Sequence, residues 1–313
     1  MSDSAFFCPL THEGVIAVRG ADAAKFLQGQ LTCNINYLTP DSSRLGARCT
    51  PKGRMLSSFR IMATDEGFAL VMAHELIETQ LADLKKYAVF FKAQLTDDSA
   101  QWARFGVVGA ETLLTDLGLT LAATPGAVAH AGHYRALRLS ADRYEVWAPT
   151  AQAAALETTL RTQLPEAALS AWWLAQIREG IGQVFGATRE LFIPQMLNLQ
   201  SLGGVSFKKG CYTGQEIVAR MQYLGKLKRR LYRLKLDSND VPAPGTELFS
   251  PVHGSAVGEV VLAAPAEQGV ELLAVLQDNA VEDGRLYCGS LEGAALTLLT
   301  LPYSVDYDRD IQQ

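Results

Sequence analysis

The feature that most constrains the fold is a unit that occurs twice, in which a strand-like run leads through Gly-Ala into a short apolar helix. The first copy joins VIAVRG (15–20) to a helical pattern over 21–30, and the second copy is FGVVGAETLLTDLG (105–118). Such self-similarity predicts two related α+β halves packed together. Between the copies, 54–64 and 67–73 alternate like strands joined by a turn, and 74–87 has helical spacing.

The sequence pattern changes from helical to strand-like after Gly225. Residues 151–164 and 167–179 are predicted helices, the second ended by Gly180, whereas the part beyond Gly225 contains short strand-like runs between Pro- and Gly-containing turns. Short strands at this spacing predict a small β-barrel or sandwich. The fold class is therefore α+β, and the predicted domains are 1–103, 104–225 and 226–313.

Composition and charge exclude several classes of function. A chain of 313 residues with 48% hydrophobic and 19% charged residues has the composition of an ordinary globular protein. Its net charge of −5 gives no overall attraction for nucleic acid, so no stable direct nucleic-acid partner is expected. No apolar run approaches the roughly 20 residues that span a bilayer, and the N-terminus lacks the pattern of a signal peptide. We expect a cytoplasmic protein without a membrane partner.

The number and spacing of the cysteines also indicate a cytoplasmic protein. The five cysteines are scattered and form no CxxC pair. This pattern argues against a disulfide framework and against a zinc ribbon, and it favours a reducing compartment.

The most informative stretch is FKKGCYTGQEIVARMQYLG (207–225). Thr213 followed by Glu216 is a capping box, which predicts a helix that starts at about Thr213 and ends at Gly225. Four apolar residues then share one helical face, namely Ile217, Val218, Met221 and Leu224.

Cys211 lies just before this predicted helix N-terminus, next to Lys208 and Lys209. Unpaired N–H groups, the helix dipole and the lysines favour negative charge, so the thiol pKa is predicted to fall below about 8.5. A reactive or ligand-forming thiolate is one interpretation. A buried cysteine that acts as a small hydrophobe is the other, and spacing alone leaves both open.

Three further features have a functional and a structural interpretation. The run of cations from Lys226 to Lys235 could bind phosphates or carboxylates, although alternation with leucines favours a solvated strand face. Trp172-Trp173 has the spacing of core residues, and stacking of a flat ligand ring is the minority interpretation. His130 and His133 lie in a segment without helical pattern or nearby carboxylates, which favours a surface loop over a metal site.

Four segments resemble, in order, the YgfZ-type folate-binding proteins. They are GADAAKFLQGQLT (20–32), CTPKGRMLSSFR (49–60), FIPQMLNLQSLGGVSFKKGCYTGQEIVAR (192–220) and LGKLKRRL (224–231). The KGCYTGQE element is highly specific. The same layout is more distantly similar to the T-protein of the glycine cleavage system, an aminomethyltransferase.

The resemblance implies a T-protein-like ring of two α+β domains and a C-terminal β-barrel, with tetrahydrofolate or another folate in a central channel that Cys211 would face. The family's lysine and cysteine correspond to Lys209 and Cys211, and a folate-lining tryptophan corresponds to Trp172. The remaining candidate folate contacts are Trp173, Lys209, Gln215, Glu216 and Arg220. A second folate-lining tryptophan of the family, near its N-terminus, has no counterpart before Trp102.

Two hypotheses about function follow. In the first, the protein is a folate-dependent accessory factor for iron–sulfur enzymes, including one that methylthiolates tRNA, and Cys211 is a transient cluster ligand or redox thiol. In the second, it is a folate-dependent one-carbon transferase or demethylase. Ser57 and Ser58 stand where the aminomethyltransferases carry acidic residues. Because serine does not act as a base near neutral pH, glycine cleavage chemistry is not expected.

Overall fold

The computed structural model describes residues 5–305, and the terminal segments 1–4 and 306–313 lie outside this range. The described chain forms two compact units. One unit holds the described residues up to Gln28 together with Asn34–Arg44 and Phe59–Trp172. The other holds Gly29–Cys33, Leu45–Ser58 and the described residues from Trp173. The three domain ranges predicted from the sequence stay predictions.

Helices and strands alternate along the first half of the chain. The strands are β1 (Phe6–Pro9), β2 (Glu13–Arg19), β3 (Ser43–Cys49), β4 (Met55–Thr64), β5 (Gly67–Ala73), β6 (Gln94–Asp97), β7 (Trp102–Val108), β8 (Val128–Ala131), β9 (Tyr134–Arg138) and β10 (Arg143–Pro149). The α-helices of the whole described chain are α1 (Ala23–Gln28), α2 (Ile77–Ala88), α3 (Glu111–Asp116), α4 (Ala153–Gln163), α5 (Leu169–Arg178), α6 (Gln215–Tyr223) and α7 (Asp278–Asp283).

The strands up to residue 149 form two five-stranded sheets, in the orders β3-β4-β5-β2-β6 and β1-β7-β10-β9-β8. The predicted repeat is present in both. Strand β2 leads into α1 and strand β7 leads into α3, each through a glycine with positive φ, Gly20 at +112° and Gly109 at +68°. Glycine is the residue that takes this conformation without strain, and it turns the chain from the sheet onto a helix. The two related α+β halves are therefore confirmed.

The apolar face of the second sheet packs against short helices. Alternation along β7 and β10 directs one side of each strand inward, because successive side chains of a strand point to opposite faces. The fully buried members of this core include Phe7, Val107, Leu114, Tyr144, Val146, Leu156 and Leu160. Helices α3 and α4 thus cover this sheet with leucines at helical spacing.

The C-terminal part forms a closed barrel, as predicted. Its strands are β11 (Arg229–Leu236), β12 (Glu247–Phe249), β13 (Gly258–Pro265), β14 (Val270–Gln277), β15 (Leu286–Cys288) and β16 (Ala295–Leu299). They close in the order β11-β14-β13-β12-β15-β16. Closure removes free sheet edges, and the interior is filled by leucine, valine and alanine side chains such as Leu234, Val260, Leu272 and Ala274.

Two sequence expectations differ in their limits. The helix predicted over 21–30 spans only Ala23–Gln28, and the one predicted over 74–87 opens with a 3-10 turn at His74–Leu76. Helix ends are the least reliable part of a sequence-based assignment because end residues lack intrahelical partners. No helix within 5–305 combines the length and the apolar character needed to cross a bilayer.

Candidate functional site

Helix α6 starts at Gln215, and its N-cap is Gly214 rather than Thr213. The predicted capping box is wrong, because the cap has no side-chain hydrogen bond. Gly214 takes φ +88°, and a Cβ there would lie 2.5 Å from the Thr50 carbonyl oxygen. Only glycine fits such a close approach in the left-handed region. The loop before the helix is therefore shaped by backbone packing.

The buried face of α6 is also narrower than the periodicity predicts. Val218 is fully buried, and its carbonyl accepts a 2.7 Å hydrogen bond from Gln195 Nε2. Leu224, predicted on the same face, is 84% exposed. The helix ends at Tyr223, so Leu224 leaves the helical path as the C-cap, and the amides of Leu224 and Gly225 both donate to the Arg220 carbonyl.

Lys209 anchors the loop that carries the candidate cysteine. Its ammonium Nζ donates hydrogen bonds to the carbonyl oxygens of Leu31 at 2.6 Å and Cys33 at 2.8 Å. The same nitrogen lies 5.1 Å from the centre of the Tyr212 ring. Burial lowers the pKa of Lys209 from 10.5 to about 8, while the neighbouring Cys33 acts in the opposite direction. The amine is therefore partly neutral slightly above neutral pH.

Tyr212 lies beneath the loop beside two buried thiols. Burial raises the pKa of its phenol above the ordinary value, and the nearby Cys49 and Cys33 raise it further. Burial likewise raises the pKa of the Cys49 thiol to about 12. Within the described chain the Tyr212 hydroxyl has no hydrogen-bond partner. Sequence reasoning missed these neighbours of the motif, although Cys49 opens the CTPKGR segment.

Cys211 differs from the buried cysteines. Its side chain is exposed, whereas Cys8, Cys33 and Cys49 are buried and Cys288 is half-buried. The interpretation of Cys211 as a small core hydrophobe therefore does not fit its position. Of the other candidates, Gln215 is half-buried, and Glu216 and Arg220 are exposed on the first two turns of α6. The thiolate and the folate contacts stay predictions.

The two tryptophans of α5 have different surroundings. Trp172 is 1% exposed in its compact unit, its ring lies where a Cβ on Gly106 would approach to 2.5 Å, and the Arg143 guanidinium is 4.5 Å from its ring centre. Trp173, which belongs to the other compact unit, is half-buried. The core interpretation of the pair thus fits Trp172, and contact of a folate with either ring stays a prediction.

Ser57 and Ser58 are both buried in strand β4. The Ser58 hydroxyl accepts a 2.8 Å hydrogen bond from the Val184 amide. A hydroxyl engaged in this way supports the backbone and supplies no carboxylate.

The cationic run divides into two kinds of residue. Arg229 pairs with Glu259, and Arg233 Nη2 lies 2.6 Å from Glu271 Oε2, both within the barrel. Lys226 and Lys228 are exposed and form no ion pair within the described chain. The strand interpretation therefore holds for the part of the run within β11, which includes Lys235, and Lys226 and Lys228 precede that strand.

Two further features lie in the first compact unit. A cleft of about 630 Å³ is lined by Trp102, Phe105 and Arg104, and Arg104 Nη2 pairs with Glu13 at 2.6 Å and Glu145 at 3.3 Å. Among the described residues that line this cleft, none is a predicted site residue. The His130 ring contacts the Pro40 carbonyl at 3.2 Å, and the described residues contain no group of His, Cys, Asp and Glu side chains suited to a metal ion.

Comparisons with known proteins cover almost the whole chain. The family model described as the GCVT N-terminal domain matches residues 2–128. A curated protein of Escherichia coli O45:K1 (strain S88 / ExPEC), named tRNA-modifying protein YgfZ, is 34% identical over 295 residues, which is 92% of this chain and 90% of that protein. A protein of the same name from Yersinia pseudotuberculosis serotype IB (strain PB1/+) is 36% identical over 305 residues, covering 94% and 91%.

One solved structure shares the fold over almost the whole chain. The glycine cleavage system aminomethyltransferase T from Bartonella henselae superposes with a TM-score of 0.76 and 21% identity, over 96% of this chain and 86% of that one. At this identity the likeness identifies the architecture, which is that of the T-protein, and leaves the chemistry to the site residues.

Proposed function

Since the chain belongs to the family of tRNA-modifying proteins named YgfZ, we propose that it is a cytoplasmic folate-binding accessory protein. It supports iron–sulfur enzymes, including one that methylthiolates tRNA, and Cys211 is its functional thiol. The observation that carries the proposal is the exposure of Cys211 on a loop that Lys209 ties to the backbone of Leu31 and Cys33.

The loop geometry suits a reactive side chain. Lys209 and Gly214 fix the backbone on either side of Cys211, and the thiol itself stays accessible. A residue held on a braced backbone meets its partner with little loss of conformational freedom. Tyr212, the next residue, is buried beneath the Lys209 ammonium.

Folate is the proposed ligand because of the family and the T-protein architecture. When bound, it supplies one-carbon chemistry. The residues in the second compact unit that fit it are the half-buried ring of Trp173, for stacking, and the exposed guanidinium of Arg220, for an anionic tail. Trp172 is the weaker candidate, since Arg143 and Gly106 already cover its ring.

A transfer reaction has less support. Ser57 and Ser58 are buried hydroxyls in β4, so this segment has no carboxylate to accept a proton from a folate nitrogen. An iron–sulfur role also has a stoichiometric condition. A cluster takes several thiolate ligands, so glutathione or the client enzyme would have to supply the ligands that Cys211 alone does not.

The test uses cells that lack the protein. Cys211→Ser and Cys211→Ala are expected to fold, to bind tetrahydrofolate with unchanged affinity, and to fail to restore tRNA methylthiolation. A serine hydroxyl does not ionise near neutral pH and is a poor iron ligand. Cys288→Ser, at a half-buried barrel position, is the matched control and should restore the modification.

Two outcomes would contradict the proposal. One of them is full restoration by Cys211→Ser, which would remove the thiol from the function.

Trp173→Ala is expected to weaken tetrahydrofolate binding by up to roughly tenfold, since aromatic stacking contributes about 0.5–1.5 kcal/mol beyond burial. Absence of any folate binding by the unmodified protein in the same fluorescence titration would exclude folate as the ligand.

A further inference from the structure

The C-terminal end of α6 presents an apolar surface with a cationic rim. We define the α6-end surface by Phe207, Tyr223 and Leu224 and the lysines Lys208, Lys226 and Lys228. Leu224 is 84% exposed and Tyr223 is 47% exposed. An exposed apolar group rimmed by polar residues is typical of a protein interaction site.

This surface is preorganised. The rings of Phe207 and Tyr223 pack edge to face, with centroids 5.8 Å apart and an interplanar angle of 70°. The amides of Leu224 and Gly225 both donate to the Arg220 carbonyl, which holds the chain where it leaves the helix. A partner would therefore meet a surface that needs little ordering on binding.

The charges of the rim are available to a partner. Within residues 5–305, Lys208, Lys226 and Lys228 form no ion pair, and all three are exposed. The arginines that follow are engaged, since Arg229 pairs with Glu259 and Arg233 with Glu271. The sequence run thus supplies two exposed lysines next to Leu224, in a chain whose net charge is −5.

The surface and the candidate thiol share one segment of the chain. Lys208 lies three residues before Cys211, and the ring contact of Phe207 with Tyr223 joins this segment to the end of α6. Both belong to the same compact unit. A partner seated on Leu224 would therefore contact the compact unit that carries the exposed cysteine.

We infer that the α6-end surface docks the client enzyme, a folded protein that presents an apolar side chain surrounded by carboxylates. The inference rests on the proposed function and identifies where its partner binds. In such a complex Leu224 forms the apolar centre of the interface, and the lysines form its polar rim. RNA fits less well, because Arg229 and Arg233 are paired with carboxylates and Leu224 offers no ring for base stacking.

The experiment measures binding of a purified tRNA methylthiotransferase, in its cluster-loaded form, to the full chain by biolayer interferometry. Leu224→Ser should weaken binding by about tenfold or more, as loss of a central apolar contact does. The double variant Lys226→Glu, Lys228→Glu should weaken binding to a similar degree and flatten its dependence on salt. Tetrahydrofolate affinity and Cys211 thiol reactivity should not change in either variant.

The matched control is Phe90→Ser in the other compact unit. Phe90 is 92% exposed and follows Lys85 and Lys86, so it has the same kind of neighbours. This variant should bind the enzyme normally. Normal binding by Leu224→Ser, or equal weakening by Phe90→Ser, would overturn the assignment, as would absence of a complex with the unmodified protein.

A parallel titration with tRNA transcript distinguishes a phosphate site. If the lysine reversals abolish tRNA binding while Leu224→Ser leaves enzyme binding intact, the surface binds RNA and the docking inference is wrong. The proposed function is judged separately, because it depends on whether Cys211→Ser restores tRNA methylthiolation. If Cys211→Ser fails to restore tRNA methylthiolation while Leu224→Ser binds the enzyme normally, the proposed function stands and only the docking surface is wrong.

Discussion

At the scale of single residues, burial decides the ionisation of the loop that carries Cys211. Lys209 is half-buried and is held by two carbonyl oxygens and the face of Tyr212. Removing a charged group from water disfavours its charged form. The sequence predicts that Lys209 supplies positive charge beside Cys211. Because of its lowered pKa, its side chain is also present in part as a neutral amine.

Lys209 should give the free energy of unfolding a measurable pH dependence. Its pKa is about 8 in the folded chain and 10.5 as the ordinary value, so between these pH values the unfolded state binds more protons. Stability contributed by this group therefore rises as pH increases through that window and is lowest below pH 8. In urea titrations from pH 7.5 to 10, the stability of the unmodified protein relative to Lys209→Met should increase.

The neighbouring lysine is the control for this measurement. Lys208 is exposed, so the stability difference between the unmodified protein and Lys208→Met should stay constant with pH. A Lys209→Met difference that is equally flat would mean that the amine is not desolvated.

At the scale of elements, the start of α6 depends on one glycine. Gly214 is packed against Thr50 and Cys49, so the helix begins where the backbone can make this approach rather than where a side-chain cap occurs in the sequence. The position of the helix then sets which residues are exposed at its other end, including Leu224.

Gly214→Ala should destabilise the protein by about 1–3 kcal/mol, because a residue with a Cβ is strained in the left-handed region and here also meets a backbone oxygen. Gly210→Ala, four residues earlier, is the matched control. A Cβ at Gly210 would meet nothing within 4 Å, and its φ is not in the left-handed region. Thermal or urea unfolding should therefore place the control within about 0.5 kcal/mol of the unmodified protein. Equal stabilities of the two variants would contradict this account of the helix start.

At the scale of the whole molecule, distant parts of the chain are joined by ion pairs that no local pattern predicts. Glu271 on β14 receives hydrogen bonds from Arg178 on α5, 93 residues away in sequence, and from Arg233 on β11. The carboxylate is largely buried, and it accepts from both guanidinium groups. This group ties helix α5 to the barrel.

Glu271→Gln should lower the free energy of unfolding by about 1–3 kcal/mol, since it removes the negative charge that the partly buried guanidinium groups of Arg178 and Arg233 share. Glu267→Gln, at an exposed position in the turn before β14, should change it by less than about 0.5 kcal/mol. Chemical denaturation at pH 7 measures both. A Glu271→Gln variant as stable as the Glu267→Gln control would show that the ion group contributes nothing net.

The sequence by itself determined the fold class, the repeat of two α+β halves, the C-terminal barrel and the identity of the segment that carries the candidate thiol. These features depend on periodicity, turn residues and a specific motif, which act locally along the chain. The positions of strands such as 67–73 could be predicted for the same reason.

Only the tertiary structure decided which of the singled-out residues are accessible. Cys211 and Leu224 are exposed, Trp172 is covered by Gly106 and Arg143, and Arg229 and Arg233 of the cationic run are paired within the barrel. The helix cap moved from Thr213 to Gly214 because Thr50, more than 160 residues away, approaches the backbone there. Burial, pairing and close approach are created when distant segments meet, and a pattern read along one segment does not contain them.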